Sequence, residues 1–298
     1  MRIIDVHLHP IKSVLSPDLL IKLMDKANVE KAVLLAVDIG PTYIMNGYLE
    51  DKIYQAFRFT TISNLPQLIL EAKRFLEFAN TPNDTVLEFV SKYPKRLIGF
   101  GSISPLRREK EITEHFKYLV ENGFKGLKTI PTLQFYDPQK SKNAELIWKK
   151  AEEENFIILA HTGFDPGPWE YFPLSIVARP SRYEKLIKKY ETPLIFAHAG
   201  SYSAYYPTIW HRECIELVRK YDHVYMDISA VFYLTRDEHI VELWREYSIM
   251  DKILFGSDYP AVEGMSIEDS VDIVRNSSVL TQKEKLLILR INAEKLIL

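Results

Sequence analysis

Short apolar runs recur along the chain, and each run is followed by a segment with helical periodicity. Several runs are apolar at every position, which is typical of parallel strands that are covered on both faces. The strand-like runs lie at residues 2–9, 31–38, 96–104, 123–131, 156–163, 193–200, 223–229 and 252–260. Because strands and helices alternate without a linker, the pattern predicts an α/β fold, a closed (β/α)8 TIM barrel formed by residues 1–298 as a single domain.

Helix start and stop signals support this alternation. Residues 108–122 place apolar side chains on one stripe, and Gly123 follows as a stop. Capping residues predict further helix starts at Thr81 before Pro82, at Asn143, and at the capping-box pairs Ser181–Glu184 and Thr281–Glu284.

The connection between the second and third strands is unusually long. Residues 39–95 are predicted to form a helical insertion that serves as a lid or as an oligomer contact. A doubly wound open sheet is the alternative fold. It is disfavoured because "HLHPIKSV", which follows the first strand, contains no glycine for a phosphate-binding turn.

Composition and charge exclude several classes of partner. The 298 residues are 47% hydrophobic and carry a net charge of −2, so neither nucleic acid nor an anionic membrane is expected as a partner. We expect no signal peptide and no transmembrane helix. The single cysteine, Cys214, suits a reducing cytoplasm, which is the predicted location. The expected partner is a small-molecule substrate, and a homo-oligomer remains open.

Polar side chains of a chemically useful kind stand where the predicted strands end. We expect these side chains to lie at one face of the barrel, because the carboxyl ends of all its strands meet at that face. They include four of the eight histidines. The residues are His7, His9, Lys128, His161, His198, Asp227 and Asp258.

These residue types predict a metal centre. Neutral imidazole binds zinc and similar divalent ions, and a carboxylate completes the shell. Asp258 is a candidate ligand and also a candidate base for a metal-activated water. Because side chains two apart on a strand share a side, His7 and His9 are expected to face the barrel axis with Asp5, while Val6 and Leu8 point outward.

Other residues keep more than one interpretation. Three interpretations of Lys128 stay open: a structural lysine, a charge partner for the substrate, or a carbamylated lysine that bridges to a second metal. Asp227 and Asp5 are expected to support the ligands from behind. Arg179 is a clamp for a substrate carboxylate or a surface residue. Trp169 and Tyr171 form a pocket wall or pack their loop onto the barrel.

Several motifs give the chain a resemblance to a known family. "IDVHLHP", "GFKGLKTIP", "AHTG", "FAHAGS", "LFGSDYP" and the closing "INAEKLIL" occur in a specific order, and residues 79–105 resemble the passage into the third strand. The chain resembles the amidohydrolase superfamily, in the amidohydrolase-related group that includes aminocarboxymuconate-semialdehyde decarboxylase. The resemblance implies a mononuclear site, usually zinc, with His7, His9, His161 and Asp258 as ligands and His198 acting beside them.

Three hypotheses for function follow. The first is a metal-dependent hydrolase, in which metal-activated water attacks an amide, ester or lactone carbonyl. The second is a non-oxidative decarboxylase of an aromatic or unsaturated acid, which requires a cationic side chain near the metal. The segment "IKSVLSPDLL" after the first strand makes this second hypothesis less favoured, because it contains no aromatic residue or arginine that could bind an aromatic acid. The third is a non-catalytic barrel with a structural metal or none.

Overall fold

Eight parallel strands follow one another around a barrel in chain order. The structure is a computed structural model, and it describes residues 2–40, 51, 54, 55, 64–165 and 170–298. The strands are β1 (Ile3–Leu8), β2 (Val29–Leu35), β3 (Leu97–Gly101), β4 (Gly126–Thr129), β5 (Ile157–Gly163), β6 (Leu194–Tyr202), β7 (Val224–Asp227) and β8 (Ile253–Leu254). The predicted barrel is confirmed.

The chain after β8 runs beside β1 and brings the two ends of the sheet together. Val6 N donates to Phe255 O at 3.0 Å, and Asp258 N donates to His7 O at 2.8 Å. Gly256 lies in this contact, where a Cβ would clash with the Cβ of His7. The close approach therefore requires glycine and places Asp258 next to the histidines of β1.

Helices connect the strands and cover them. They are α1 (Pro17–Ala27), α2 (Leu65–Ala79), α3 (Asn83–Lys92), α4 (Glu109–Glu121), α5 (Lys142–Glu153), α6 (Phe172–Ser175), α7 (Glu184–Lys189), α8 (His211–Lys220), α9 (Glu238–Glu246), α10 (Ile267–Arg275), α11 (Gln282–Leu286) and α12 (Asn292–Ile297). The helix predicted within 108–122 is confirmed as α4. None of the helices in the described part of the chain is long and apolar enough to cross a membrane.

The helix starts confirm one of the capping predictions and correct three. Glu284 N donates to Thr281 Oγ1 and Thr281 N donates to Glu284 Oε2, so α11 begins with the predicted capping box. Thr81 instead pairs with Val37 in an antiparallel bridge, and α3 begins after Pro82 without a side-chain cap.

The other two corrections arise because a tertiary contact takes the predicted group. Ser141 caps α5, while the Asn143 amide donates to the carbonyl oxygens of Pro105 and Arg107. Ser181 N donates to Glu213 Oε1 at 2.7 Å, so the acceptor comes from α8 instead of Glu184.

An inner cluster of alternate strand residues fills the barrel below the site. Its members include Val6, Val33, Leu159, Ile195 and Leu254. Val6 therefore lies inside, which corrects the expectation that it points outward. The cause is a register shift between Asp5 and Leu8, which breaks the alternation of β1 and lets His7 and Leu8 take the opposite sides from a regular strand. Leu8 belongs to the outer cluster, as expected.

The long connection after β2 divides into two parts with different positions. Helix α3 packs on β2 and β3 through Val86 and Phe89, which is the place of the second barrel helix. Helix α2 packs instead over the carboxyl ends of the strands, where Ala72 and Leu76 contact the cluster of Val37, Ile130 and Leu133. The remainder of the predicted insertion between 41 and 63 lies outside the described residues, apart from positions 51, 54 and 55.

Candidate metal centre

The strand ends converge on a cavity of about 100 Å³ beneath α2. One side of the cavity is polar and the other is apolar. The polar lining is His7, His9, Lys128, His161, Asp165, His198, Tyr202 and Asp258, and the apolar lining is Ile11, Val37, Phe75, Phe78, Ala79, Ile130, Leu133 and Ala261. The structure thus brings together six of the seven strand-end residues that the sequence singled out, and the seventh, Asp227, lies directly behind them.

The imidazoles of His7, in β1, and His9, directly after β1, face one oxygen of Asp258. His7 Nε2 lies 3.3 Å and His9 Nε2 lies 3.4 Å from Asp258 Oδ1. His7, His198 and Asp258 each offer a donor atom within 4.8 Å of the others. All these side chains are buried or nearly so. A bound cation requires donor atoms that surround a small gap and point into it, and these nitrogen and oxygen atoms are arranged in that way.

Asp227 and Ser229 fix the orientation of two of these rings. His7 Nδ1 donates to Asp227 Oδ2 at 2.9 Å, and His198 Nδ1 donates to the carbonyl oxygen of Ser229 at 2.9 Å. Because both Nδ1 atoms carry hydrogen, both Nε2 atoms present a lone pair. The Ser229 hydroxyl accepts from both rings and donates to Asp227 Oδ1 at 2.5 Å.

The backbone is strained where two of the site residues stand. His198 and Ala199 have φ values of 60° and 48°, and Asp258 has a φ of 56°. Non-glycine residues adopt this left-handed region at a cost, and such residues concentrate at functional sites. His198 N donates to Asp227 Oδ1 at 3.0 Å, which helps to hold the strained backbone within β6.

Burial and neighbouring charges set the protonation of the site. Burial lowers the pKa of His7, His9 and His161, and it lowers the pKa of His198 to about 4. Although burial alone raises the pKa of Asp258, the surrounding histidines hold it well below its ordinary range. The site therefore presents neutral imidazoles and an ionised carboxylate, which are the forms that bind a metal ion.

His161 provides the test of whether a cation fits. Its Nε2 atom is buried and has no hydrogen-bond partner among the described residues, although it faces Asp165 Oδ2 at 3.4 Å. A buried polar nitrogen without a partner is costly unless a ligand satisfies it. The donor set of neutral nitrogens and an ionised carboxylate thus fits a divalent cation.

Lys128 and Asp5 are both buried beside His7. Lys128 Nζ lies 3.0 Å from His7 Nε2, and burial lowers the pKa of this lysine to about 8. Carbamylation of Lys128 and a second metal remain predictions. Asp5 Oδ1 accepts from the backbone N–H groups of His7 and Ser257, both at 3.0 Å, so it supports the backbone beneath the site.

Of the three proposed pocket residues outside the strands, Arg179 and Tyr171 do not line the cavity. Arg179 is exposed and pairs with Glu213 at 2.6 Å, which corresponds to the surface alternative for this residue. Tyr171 packs against the apolar cluster beneath α2, which corresponds to the loop-packing alternative. Trp169 lies outside the described residues.

Three lining or supporting residues were missed by sequence reasoning. Asp165 lies in the cavity two residues beyond β5, Tyr202 stacks on His198 with ring centroids 4.5 Å apart, and Ser229 joins the two rings. The segment "HTGFD" carried a signal for Asp165, since it places a carboxylate just past a strand-end histidine.

Comparison with solved structures agrees with the fold. The solved structures that resemble the chain include a probable 2-pyrone-4,6-dicarboxylic acid hydrolase from Acinetobacter baumannii with citric acid bound, which is 16% identical with 99% of both chains covered and a TM-score of 0.62. An uncharacterised TIM-barrel protein from Bordetella bronchiseptica is 14% identical, with 100% of this chain and 98% of that chain covered and a TM-score of 0.71. A dihydroxybenzoic acid decarboxylase from Polaromonas, with bound manganese and the inhibitor 2-nitroresorcinol, is 17% identical, with 99% and 96% covered and a TM-score of 0.60.

The solved structures share the fold at low identity, and among curated proteins no sequence match is found. The family is shown by a different comparison. The family model described as amidohydrolase matches residues 4–297, nearly the whole chain, including every strand-end residue of the candidate centre. The chain therefore belongs to the amidohydrolase family.

Proposed function

We propose that this enzyme is a zinc-dependent hydrolase that cleaves an amide, ester or lactone bond of a small molecule. One observation carries the proposal. Imidazole nitrogens from β1 face the ionised Asp258 at 3.3 and 3.4 Å, in a buried cavity where His161 Nε2 has no partner. Nitrogen-rich donor sets with one carboxylate favour zinc over the harder cations.

The roles of the residues follow from their surroundings. His7, His9, His161 and Asp258 hold the cation, which when bound supplies a Lewis acid that makes water more acidic and polarises a carbonyl. Asp258 is ionised, so it accepts the proton of the attacking water. His198 presents the lone pair of Nε2, because its Nδ1–H is held by the Ser229 carbonyl, and it takes up and returns a proton on the leaving-group side.

The cavity supports a small and partly apolar substrate. Its volume is about 100 Å³, and Phe75, Phe78 and Leu133 line the side away from the histidines. A neutral acyl or aryl group would pack against this wall while its carbonyl meets the polar side. Helix α2 would then act as a lid over the bound molecule.

Decarboxylation of an unsaturated or aromatic acid is the alternative. It requires a cation beside the metal site, and Lys128 Nζ lies 3.0 Å from His7 Nε2. The ammonium group would bind and orient a substrate carboxylate. The solved decarboxylase that shares this fold supports the alternative at the level of the fold alone.

Metal analysis followed by a substrate panel tests the proposal. The purified protein should hold about one equivalent of zinc and should hydrolyse a member of an ester, lactone and amide panel. Asp258→Asn should lower kcat at least about 1000-fold while the circular dichroism spectrum keeps its shape, because the variant removes both a ligand and a base. Carbon dioxide release from aromatic acids, with no hydrolysis, would favour the alternative. Full activity of Asp258→Asn would exclude both.

We further propose that the enzyme acts in the cytoplasm on free small molecules. A net charge of −2 and a single cysteine support this location and give no reason to expect nucleic acid or a membrane as partner. If the protein forms a homo-oligomer, the long connection after β2 is the surface that we expect at the contact.

A further inference from the structure

Asp165 stands in the cavity without a role in the proposed mechanism. Its carboxylate is buried, with 6% of the residue exposed, and Oδ2 lies 3.4 Å from His161 Nε2. The two atoms do not form a hydrogen bond, since His161 Nε2 has no hydrogen-bond partner among the described residues. A buried nitrogen and a buried carboxylate oxygen thus face each other across a gap.

The same relation exists on the opposite side of the cavity. His7 Nε2 and His9 Nε2 face Asp258 Oδ1 at 3.3 and 3.4 Å. Two ligand atoms about 2.1 Å from one zinc ion are about 3.4 Å apart at a tetrahedral angle. The His161–Asp165 pair therefore has the spacing of two ligands, as do the pairs that contain Asp258.

The fold holds Asp165 in this position. At Gly163 the chain adopts a φ of 112°, and a Cβ there would clash with the backbone of Tyr202. Phe164 N donates to Tyr202 O immediately after that turn, and the Thr132 hydroxyl donates to Asp165 Oδ2. The carboxylate is thus fixed by the segment after β4 and by β6, and it faces His161.

We propose that Asp165 is a further ligand of the metal centre and that it binds the cation together with His161. This inference rests on the proposed metal-dependent function. It adds a second carboxylate to the donor set and places it on the β5 side, opposite Asp258. Thr132 acts as a positioning residue, because its hydroxyl orients the ligand without touching the cation.

Zinc and cobalt binding to the metal-free protein tests the inference without any substrate. Asp165→Asn should weaken zinc binding by at least about 100-fold, since the loss of a partner that merely orients a ligand costs about 10- to 100-fold. It should also shift the visible absorption bands of the cobalt-loaded protein, because the ligand set changes. Thr132→Val is the matched control. It should keep the wild-type band positions, because it removes the orienting hydroxyl and leaves the carboxylate ligand itself in the chain.

A second variant and a reference variant keep the outcomes distinct. If Asp165→Asn does not fold when metal-free, Asp165→Ser retains a hydroxyl for Thr132 and carries the same expectation. Wild-type zinc affinity and cobalt bands in the Asp165 variant, together with lost binding in Asp258→Asn, would overturn this inference alone. Unchanged binding in both variants would overturn it together with the proposed metal-dependent function.

Discussion

Two buried carboxylates support the candidate centre, and their hydrogen bonds differ in one respect. Both oxygens of Asp227 accept from donors: Oδ2 from His7 Nδ1, and Oδ1 from the N–H groups of His198 and Ser229 and from the Ser229 hydroxyl. Asp5 Oδ1 accepts from the N–H groups of His7 and Ser257, and its buried Oδ2 has no hydrogen-bond partner in the described part of the chain. An amide can therefore replace the carboxylate at position 5 but not at position 227.

This difference gives a paired prediction. In Asp227→Asn, the new NH2 group must face hydrogen-bond donors on either side, so one set of donors loses its acceptor. We expect a loss of about 2–3 kcal/mol of unfolding free energy and about 10- to 100-fold weaker zinc binding. Asp5→Asn keeps both backbone donors paired, because its NH2 group can take the side of Oδ2, so it should cost about 1 kcal/mol less unfolding free energy than Asp227→Asn. Urea unfolding and zinc titration of the two variants measure both effects. Equal losses in the two variants would contradict this account.

At the residue scale, the sequence predicts the site wherever strand periodicity alone determines position. His7, His9, His161, His198 and Asp258 were identifiable because each ends an apolar run, and the family match covers all of them. Ser229 was not, because its position depends on how the chain turns after β7. The segment "HTGFD" places Asp165 near a strand end, but the direction of its side chain depends on how the chain turns after β5. The direction of Val6 was predicted wrongly, because a register shift in one strand is not visible in an apolar pattern.

At the element scale, the end of β6 is held by a helix behind it. His211 on α8 donates through Nδ1 to Ala199 O at 2.9 Å and accepts through Nε2 from Trp244 Nε1 at 2.9 Å. Gly200 N donates to Thr162 Oγ1 at 3.0 Å. The left-handed turn that carries His198 is therefore fixed by α8, α9 and β5 rather than by its own sequence.

We predict that His211→Phe loosens this turn. The change leaves Trp244 Nε1 without a partner and leaves Ala199 O with the Ser201 hydroxyl as its side-chain donor, which should cost about 1–3 kcal/mol of unfolding free energy. Once a substrate is identified, kcat of this variant should fall by a larger factor than KM rises. The reason is that His198 loses its orientation while the cavity wall remains. The exposed His239 provides the control, and His239→Phe should leave both quantities unchanged. A wild-type kcat for His211→Phe would exclude a positioning role for this helix.

The capping box of α11 shows how an element prediction gains a tertiary partner. Besides accepting from Thr281, Glu284 binds Arg245 of α9 through both oxygens, at 2.7 and 2.9 Å. The side-chain hydrogen bond from Arg245 is the largest cause that lowers the pKa of Glu284, to about 2. Because the pKa of the folded state is depressed, the stability that Glu284 contributes is complete above its ordinary pKa and is lost as pH falls toward 2.

Glu284→Gln should therefore destabilise the protein by about 1–2 kcal/mol at pH 7, and the difference from the wild type should shrink as the pH falls below about 5. The protonated glutamic acid then resembles the glutamine in charge. Urea unfolding between pH 7 and pH 3.5 measures this convergence. Glu246→Gln, at an exposed position of α9, serves as the control. A difference that stays constant with pH would show that the ion pair with Arg245 contributes nothing.

At the scale of the whole molecule, the strand order was predictable and the position of the long connection was not. Each strand runs beside the next one in the chain, so apolar runs alone determine the order around the barrel. Helix α2 packs across the mouth through contacts with Val37, Ile130 and Leu133, which come from three separate segments. No local pattern within α2 reports those contacts, because its apolar stripe would fit any apolar surface.

The proposed ligands come from strands that are distant in sequence and adjacent in the barrel, so metal binding should stabilise the whole fold. His7 and His9 end β1, His161 lies in β5, and Asp258 follows β8, which closes the barrel against β1. A cation that binds only the folded chain adds about 2.7 kcal/mol at 100 times its Kd. For a chain of this size we expect a rise in Tm of about 5 °C or more.

Calorimetry of the metal-free and zinc-loaded protein measures this shift. Removal of zinc with a chelator should lower Tm by the same amount, and re-addition should restore it, since the ligands remain in place. Asp258→Asn should show no such recovery at equal zinc concentration, because one strand can no longer contribute its ligand. If the wild-type protein melts at the same temperature with and without zinc, the ligands do not join β1, β5 and β8 around a cation. The buried His161 Nε2 would then need a different partner.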